Sequence, residues 1–90
     1  MAAEDQKPLI EFPSVFPIKV MGEAHADFIV IITALIQDIT PSFDANDIET
    51  RASAAGKYIS LTCNIHVVSQ AELDAIYQVI SKHPMVKFAL

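Results

Sequence analysis

Cysteine, arginine and basic charge are scarce in this chain, and each shortage removes a class of function. The lone Cys63 cannot close an internal disulfide. It lies in an alternating apolar segment, so a buried thiol in a reducing compartment is expected. Lys and Arg total six against eleven Asp and Glu, for a net charge of −5. That balance offers no electrostatic footprint for nucleic acid or an anionic membrane, and neither is expected as a partner. The longest apolar run, residues 28–32, is far short of the roughly 20 residues that span a bilayer. No basic N-terminal segment leads into an apolar one, so no signal peptide is expected and the chain reads as cytoplasmic.

Missing ligand sets narrow the field further. A soft-metal chaperone needs thiolates in the first loop, and MGEAHADF has none. The three histidines, His25, His66 and His83, fall on separate elements, so no metal site is expected. A phosphate-cleaving site of the acylphosphatase kind needs an Arg in that loop, and the one Arg is Arg51. Without that cation its main electrostatic term is lost. An RNA-reading sheet needs stacking aromatics, where this chain offers Ser60, Thr62, Asn64 and His66.

What the chain does have is apolar periodicity. Hydrophobic residues make up 52% of it, too many for a disordered chain. In residues 15–21, Phe16, Ile18 and Val20 alternate with Pro17, Lys19 and Met21, the pattern of a strand with one buried face. Pro17 lacks an amide donor, so regular pairing is expected only from Ile18. Over residues 25–39, Phe28, Ile29, Ile32, Leu35, Ile36 and Ile39 share one helical face. Residues 47–53 alternate again, and Gly56 marks a turn. The longest strand covers residues 58–68, with Leu61, Cys63, Ile65 and Val67 on one side. Ser69 and Glu72 form a capping-box pattern that opens a second helix carrying Leu73, Ile76, Tyr77 and Ile80. Residues 86–90 close the chain with Val86, Phe88 and Leu90 alternating.

The order β-α-β-β-α-β predicts an α+β, ferredoxin-like βαββαβ sandwich. The sheet order is 4-1-3-2 with both helices on one face. Residues 1–11 read as a flexible N-terminal tail and 12–90 as a single α/β sandwich domain. Ile18, Val20, Leu61, Cys63, Ile65, Phe88 and the helix faces are the expected core. The other sheet face should be open and polar, carrying Lys19, Glu49, Arg51, Ser60, Thr62, Asn64, His66 and Lys87.

Lys19 to Phe28 poses the sharpest question. Gly22 sits between strand and helix, where a positive-φ turn or a small-ligand contact is expected. Glu23 and Asp27 would place two carboxylates at the helix N-terminus, favouring its dipole and repelling an anion. His25 reads as structural or exposed.

Two blocks carry a resemblance. Glu11-Phe12-Pro13, Phe16 and Lys19-Val20-Met21-Gly22 form the first; Ser53, Gly56 and Tyr58 form the second. Together they resemble the small bacterial family of YbeD-like proteins. The resemblance implies an ACT-like fold, no catalysis, no cofactor, and a regulatory or protein-interaction module linked to lipoate metabolism. A small-molecule-sensing ACT-like domain is the alternative, with an enzyme built on the open face behind it. The ACT effector turn is not reproduced, since Asp27 has neither Pro nor Gly beside it.

The expected contact surface for an unidentified protein partner is Lys19, Ser60, Thr62, Asn64 and His66. Lys19 falls in the matching block yet points away from the core. On the first helix, Val30 and Ala34 lie outside the core arc and Ile31 at its edge. These three are the candidate interface of a homodimer.

Overall fold

A computed structural model describes residues 11–53 and 55–90. The expected tail lies, apart from Glu11, outside the described residues. The elements run β1 (Ser14–Glu23), α1 (Phe28–Gln37), a 3₁₀ turn (Ala45–Asp47), β2 (Ile48–Ala52), β3 (Tyr58–Val67), α2 (Gln70–Ser81) and β4 (Val86–Ala89). The four strands form one antiparallel sheet in the order β2-β3-β1-β4. This is the predicted ferredoxin-like α+β fold.

Alternation builds the core. Ile18, Val20, Leu61, Cys63, Ile65 and Val67 point to one side of the central strand pair and are fully buried. Phe28, Ile32 and Ile36 of α1 and Leu73, Ile76 and Ile80 of α2 close over them in the same cluster. Both helices therefore cover one face, and among the described residues no element covers the opposite one.

Several local expectations are corrected. β1 pairs with β3 from Ser14↔Val67 to Glu23↔Tyr58, so pairing does not wait for Ile18. The amide and carbonyl of Lys19 both bond to Leu90. Odd-numbered residues of β1 thus turn their backbone groups towards the β4 side. Pro17 points the same way, beyond the pairing with β4, where its missing N–H breaks no ladder bond.

Helix α1 starts at Phe28 rather than near His25. The Asp27 amide donates to His25 Nδ1 at 3.0 Å and the Phe28 amide to the His25 carbonyl at 3.0 Å, which holds those residues in a turn. Glu23 belongs to β1, not to the helix N-terminus, and its carboxylate lies 3.6 Å from Lys87 Nζ. At α2, Ser69 Oγ accepts the Glu72 amide at 3.1 Å, as the capping pattern predicts. The Glu72 carboxylate reaches back one residue further, accepting the Val68 amide at 3.0 Å.

The last strand departs most from simple alternation. Met21 pairs with Phe88, but the next residue, Gly22, pairs with Val86. Lys87 is the extra residue of a β-bulge. The slip turns Val86 and Ala89 towards the core and Phe88 away from it. Phe88, expected in the core, is 45% exposed on the open face, and Leu90 is 68% exposed.

Gly22 is needed for room, not for a left-handed turn. Among the described residues the one positive-φ glycine is Gly56, at φ 73°. Gly22 is buried inside β1, and a Cβ there would meet the Met85 carbonyl and the Phe28 ring, the latter at 2.5 and 2.8 Å. The absent side chain lets the first aromatic of α1 lie against the strand backbone.

Candidate functional site

The bare face of the sheet carries the candidate site. Two cross-strand rows define it. In one, Glu49, Thr62, Lys19 and Leu90 follow one another from β2 to the end of β4. In the next, Arg51, Ser60, Met21 and Phe88 do so. Between them lies a trough of about 420 Å³ lined by Lys19, Glu49, Thr50, Arg51, Ser60 and Thr62. A smaller apolar hollow of about 110 Å³ adjoins it, with Met21, Ala52, Ser53 and Tyr58 in its wall. Arg51 and Ser60 line both.

Of the expected contact residues, Lys19, Ser60 and Thr62 come together in the trough. Asn64 is occupied elsewhere: its Nδ2 donates to the Asp47 carbonyl at 3.3 Å and to Glu49 Oε2 at 3.4 Å. It ties β3 to the start of β2. His66 lies two pairs further along, opposite the exposed Val15 and away from the trough. Gly22 sits within β1, and Val30 and Ala34 are exposed on α1 with Ile31 half-buried.

The face is less polar than alternation predicts. Six large hydrophobic side chains are exposed among the described residues, and four of them, Val15, Tyr58, Phe88 and Leu90, are on this face. For Phe88 no sequence signal shows this, because it depends on the bulge at Lys87. Tyr58 was visible as the alternation partner of Ser60.

The remaining reactive groups are spent or remote. Cys63 is buried, and desolvation pushes its thiol up to about 12, so it is no nucleophile at neutral pH. His83 Nδ1 accepts the Met85 amide at 3.2 Å, and His25 Nδ1 accepts that of Asp27. Burial also raises the Tyr77 hydroxyl above its usual range. Among the described residues no group of His, Cys, Asp and Glu is placed to hold a metal ion. No helix among them is long and apolar enough to cross a membrane.

The sequence profile of a protein family of unknown function, DUF493, matches residues 7–90. The chain belongs to the DUF493 family. Curated relatives carry the name UPF0250 protein. The one from Janthinobacterium sp. (strain Marseille) is 48% identical over 82 residues, covering 91% of this chain and 90% of the relative. That from Ralstonia nicotianae, RSc0326, is 43% identical over 89 residues, covering 99% and 92%. The solution structure of HP0495 from H. pylori superposes with a TM-score of 0.80 over 100% of this chain and 94% of its own, at 22% identity. At that identity the likeness speaks for the fold. Membership of DUF493 agrees with the YbeD-like resemblance, and the family carries no assigned activity.

Proposed function

We propose that this DUF493 protein is a non-catalytic regulatory module of the cytoplasm that binds a protein partner through its open sheet face. The observation that carries the reading is the one-sided sandwich. One face is sealed by two helices. The other leaves Tyr58, Phe88 and Leu90 exposed on the same face as a trough bearing Lys19 and Arg51, with Val15 further along β1. Apolar side chains gathered on one bare surface mark interaction sites more often than scattered ones do. The absence of catalysis is supported by the buried thiol and by the locally bonded His25 and His83. The regulatory role, with its link to lipoate metabolism, follows the family resemblance.

A small-molecule sensor is the second reading. The trough volume of about 420 Å³ falls within the size range of ligand pockets. Its open position on a sheet surface suits an extended partner better than an enclosed ligand.

Capture from cell lysate tests the proposal. The unmodified chain should retain one stoichiometric protein. Lys19→Ala should lose it while keeping the same urea stability, and Lys82→Ala should keep it. Equal capture by all three chains overturns the reading.

A further inference from the structure

The two halves of the open face differ in chemistry, and the difference specifies what fits. Lys19 and Arg51 flank the hydroxyls of Ser60 and Thr62. The ion pairs among the described residues are His25–Asp27 and Lys87–Glu23, so neither trough cation is matched by a described carboxylate. Glu49, the one acid in the trough wall, has its carboxylate within hydrogen-bonding reach of Asn64. Among the described residues the trough wall thus carries two cations against the single Glu49 carboxylate, on a chain whose net charge is −5. In the Arg51 row itself Met21 and Phe88 pair, and Met21 with Tyr58 of the next row walls the apolar hollow, which Arg51 also lines.

We propose, building on the docking-face reading, that the occupant is an extended acidic peptide segment of the partner. It carries an Asp or Glu two residues from a large apolar side chain. The carboxylate sits over Lys19 and Arg51, and the apolar side chain enters the Met21–Tyr58 hollow. The spacing follows from sheet geometry. Same-face residues along a strand lie about 7 Å apart, which is also the distance between positions i and i+2 of an extended peptide lying on it. Charge complementarity favours a short acidic segment over a polyanion. A nucleic acid or anionic bilayer would bring many charges against a chain that is acidic overall, whereas one carboxylate matches the single excess positive charge of the trough wall.

Panning a display library of random heptapeptides on the full chain tests this. Enriched peptides should share an acidic residue two positions from Leu, Ile, Phe or Met. A synthetic consensus peptide should lose about tenfold or more in affinity to the Lys19→Gln/Arg51→Gln chain, and should weaken with salt. Tyr58→Ser should weaken it in a salt-independent way. Lys19→Glu/Arg51→Glu should turn the enrichment towards basic peptides, with circular dichroism confirming that each variant is folded. Enrichment of basic or wholly apolar peptides, no enrichment, or unchanged affinity of the Gln variant overturns the proposal. If Lys19→Ala still loses its lysate partner in that event, the docking face stands and only the acidic occupant falls. If capture is unaffected as well, both fall.

Discussion

Ile18 and Val20 are sealed beneath two helices, while Lys19 and Met21, their immediate neighbours on β1, face a bare surface. One strand therefore serves two purposes at alternate positions. On the covered face every side chain is held by others, and the register of β1 against β3 is unbroken over ten pairs. A one-residue slip there would expose the whole apolar set, so that register is strongly fixed. On the open face no described element packs above the side chains. The register against β4 slips after Met21, and the slip brings Phe88 into view. The comparison teaches that residues holding the fold and residues free to meet a partner are interleaved, and that substitutions should separate them.

The largest separation is expected between neighbours. Ile18→Ala leaves a cavity in the core and should cost about 2–5 kcal/mol, whereas Lys19→Ala should stay within about 0.5 kcal/mol in the same urea titration. Similar losses for the two would erase the distinction between the faces.

Gly22→Ala comes next. It drives a methyl group into the Met85 carbonyl and the Phe28 ring, and overpacking of that kind costs about 1–3 kcal/mol. Adding Phe28→Leu should recover part of the loss, because the two substitutions share one contact. Strictly additive losses would show that the ring contact is not the reason for the glycine.

Cys63 gives a smaller, pH-dependent effect. Its ordinary value is 9.0 and the folded value about 12, so the folded state holds the proton more tightly. Stability is fully present below the unfolded value and falls as pH rises from 9.0 towards about 12. By about pH 10 the loss should be roughly 1 kcal/mol relative to neutral pH, and Cys63→Ala should lack that component. Parallel alkaline losses in both chains would mean that the thiol is not desolvated.

The least costly change to stability is on the helix side. Val30 is 67% exposed on α1, with Ala34 exposed nearby and Ile31 half-buried. If a homodimer forms through these residues, Val30→Glu with Ile31→Glu should shift sedimentation from dimer to monomer while leaving the circular dichroism spectrum unchanged. A monomeric unmodified chain at high concentration would remove that interface.

The covered face was legible because burial imposes a period. Alternation in the strand segments and the helical faces of α1 and α2 marked four strands and two helices, though not the 3₁₀ turn at Ala45–Asp47. With right-handed crossovers these gave the sheet order, and alternation gave the burial of Cys63. Phe43 was not legible. It stands alone in the polar segment PSFDAND, yet it is 4% exposed and joins the core, with Gln37 Nε2 donating to its carbonyl at 2.7 Å. No period marks a single anchoring residue in a loop. The bulge was also hidden, because a register slip belongs to the pairing of two strands and not to either strand's composition. Lys19, Ser60 and Thr62 were readable as neighbours from their parity. Arg51 was readable on the same face, and its place opposite Ser60 needed the β2–β3 register; the apolar flank at Phe88 needed the bulge.

The division of the sheet into a fold-bearing face and a partner-bearing face is tested most directly by lysine footprinting. Lys19 is exposed on the open face, and Lys82 is exposed at the C-terminal end of α2 on the helix side. With an amine-acylating reagent, the two should label comparably in the purified chain. In lysate, Lys19 should lose reactivity while Lys82 keeps it. Protection of Lys82 with Lys19 still reactive would place the partner on the helices and contradict the account.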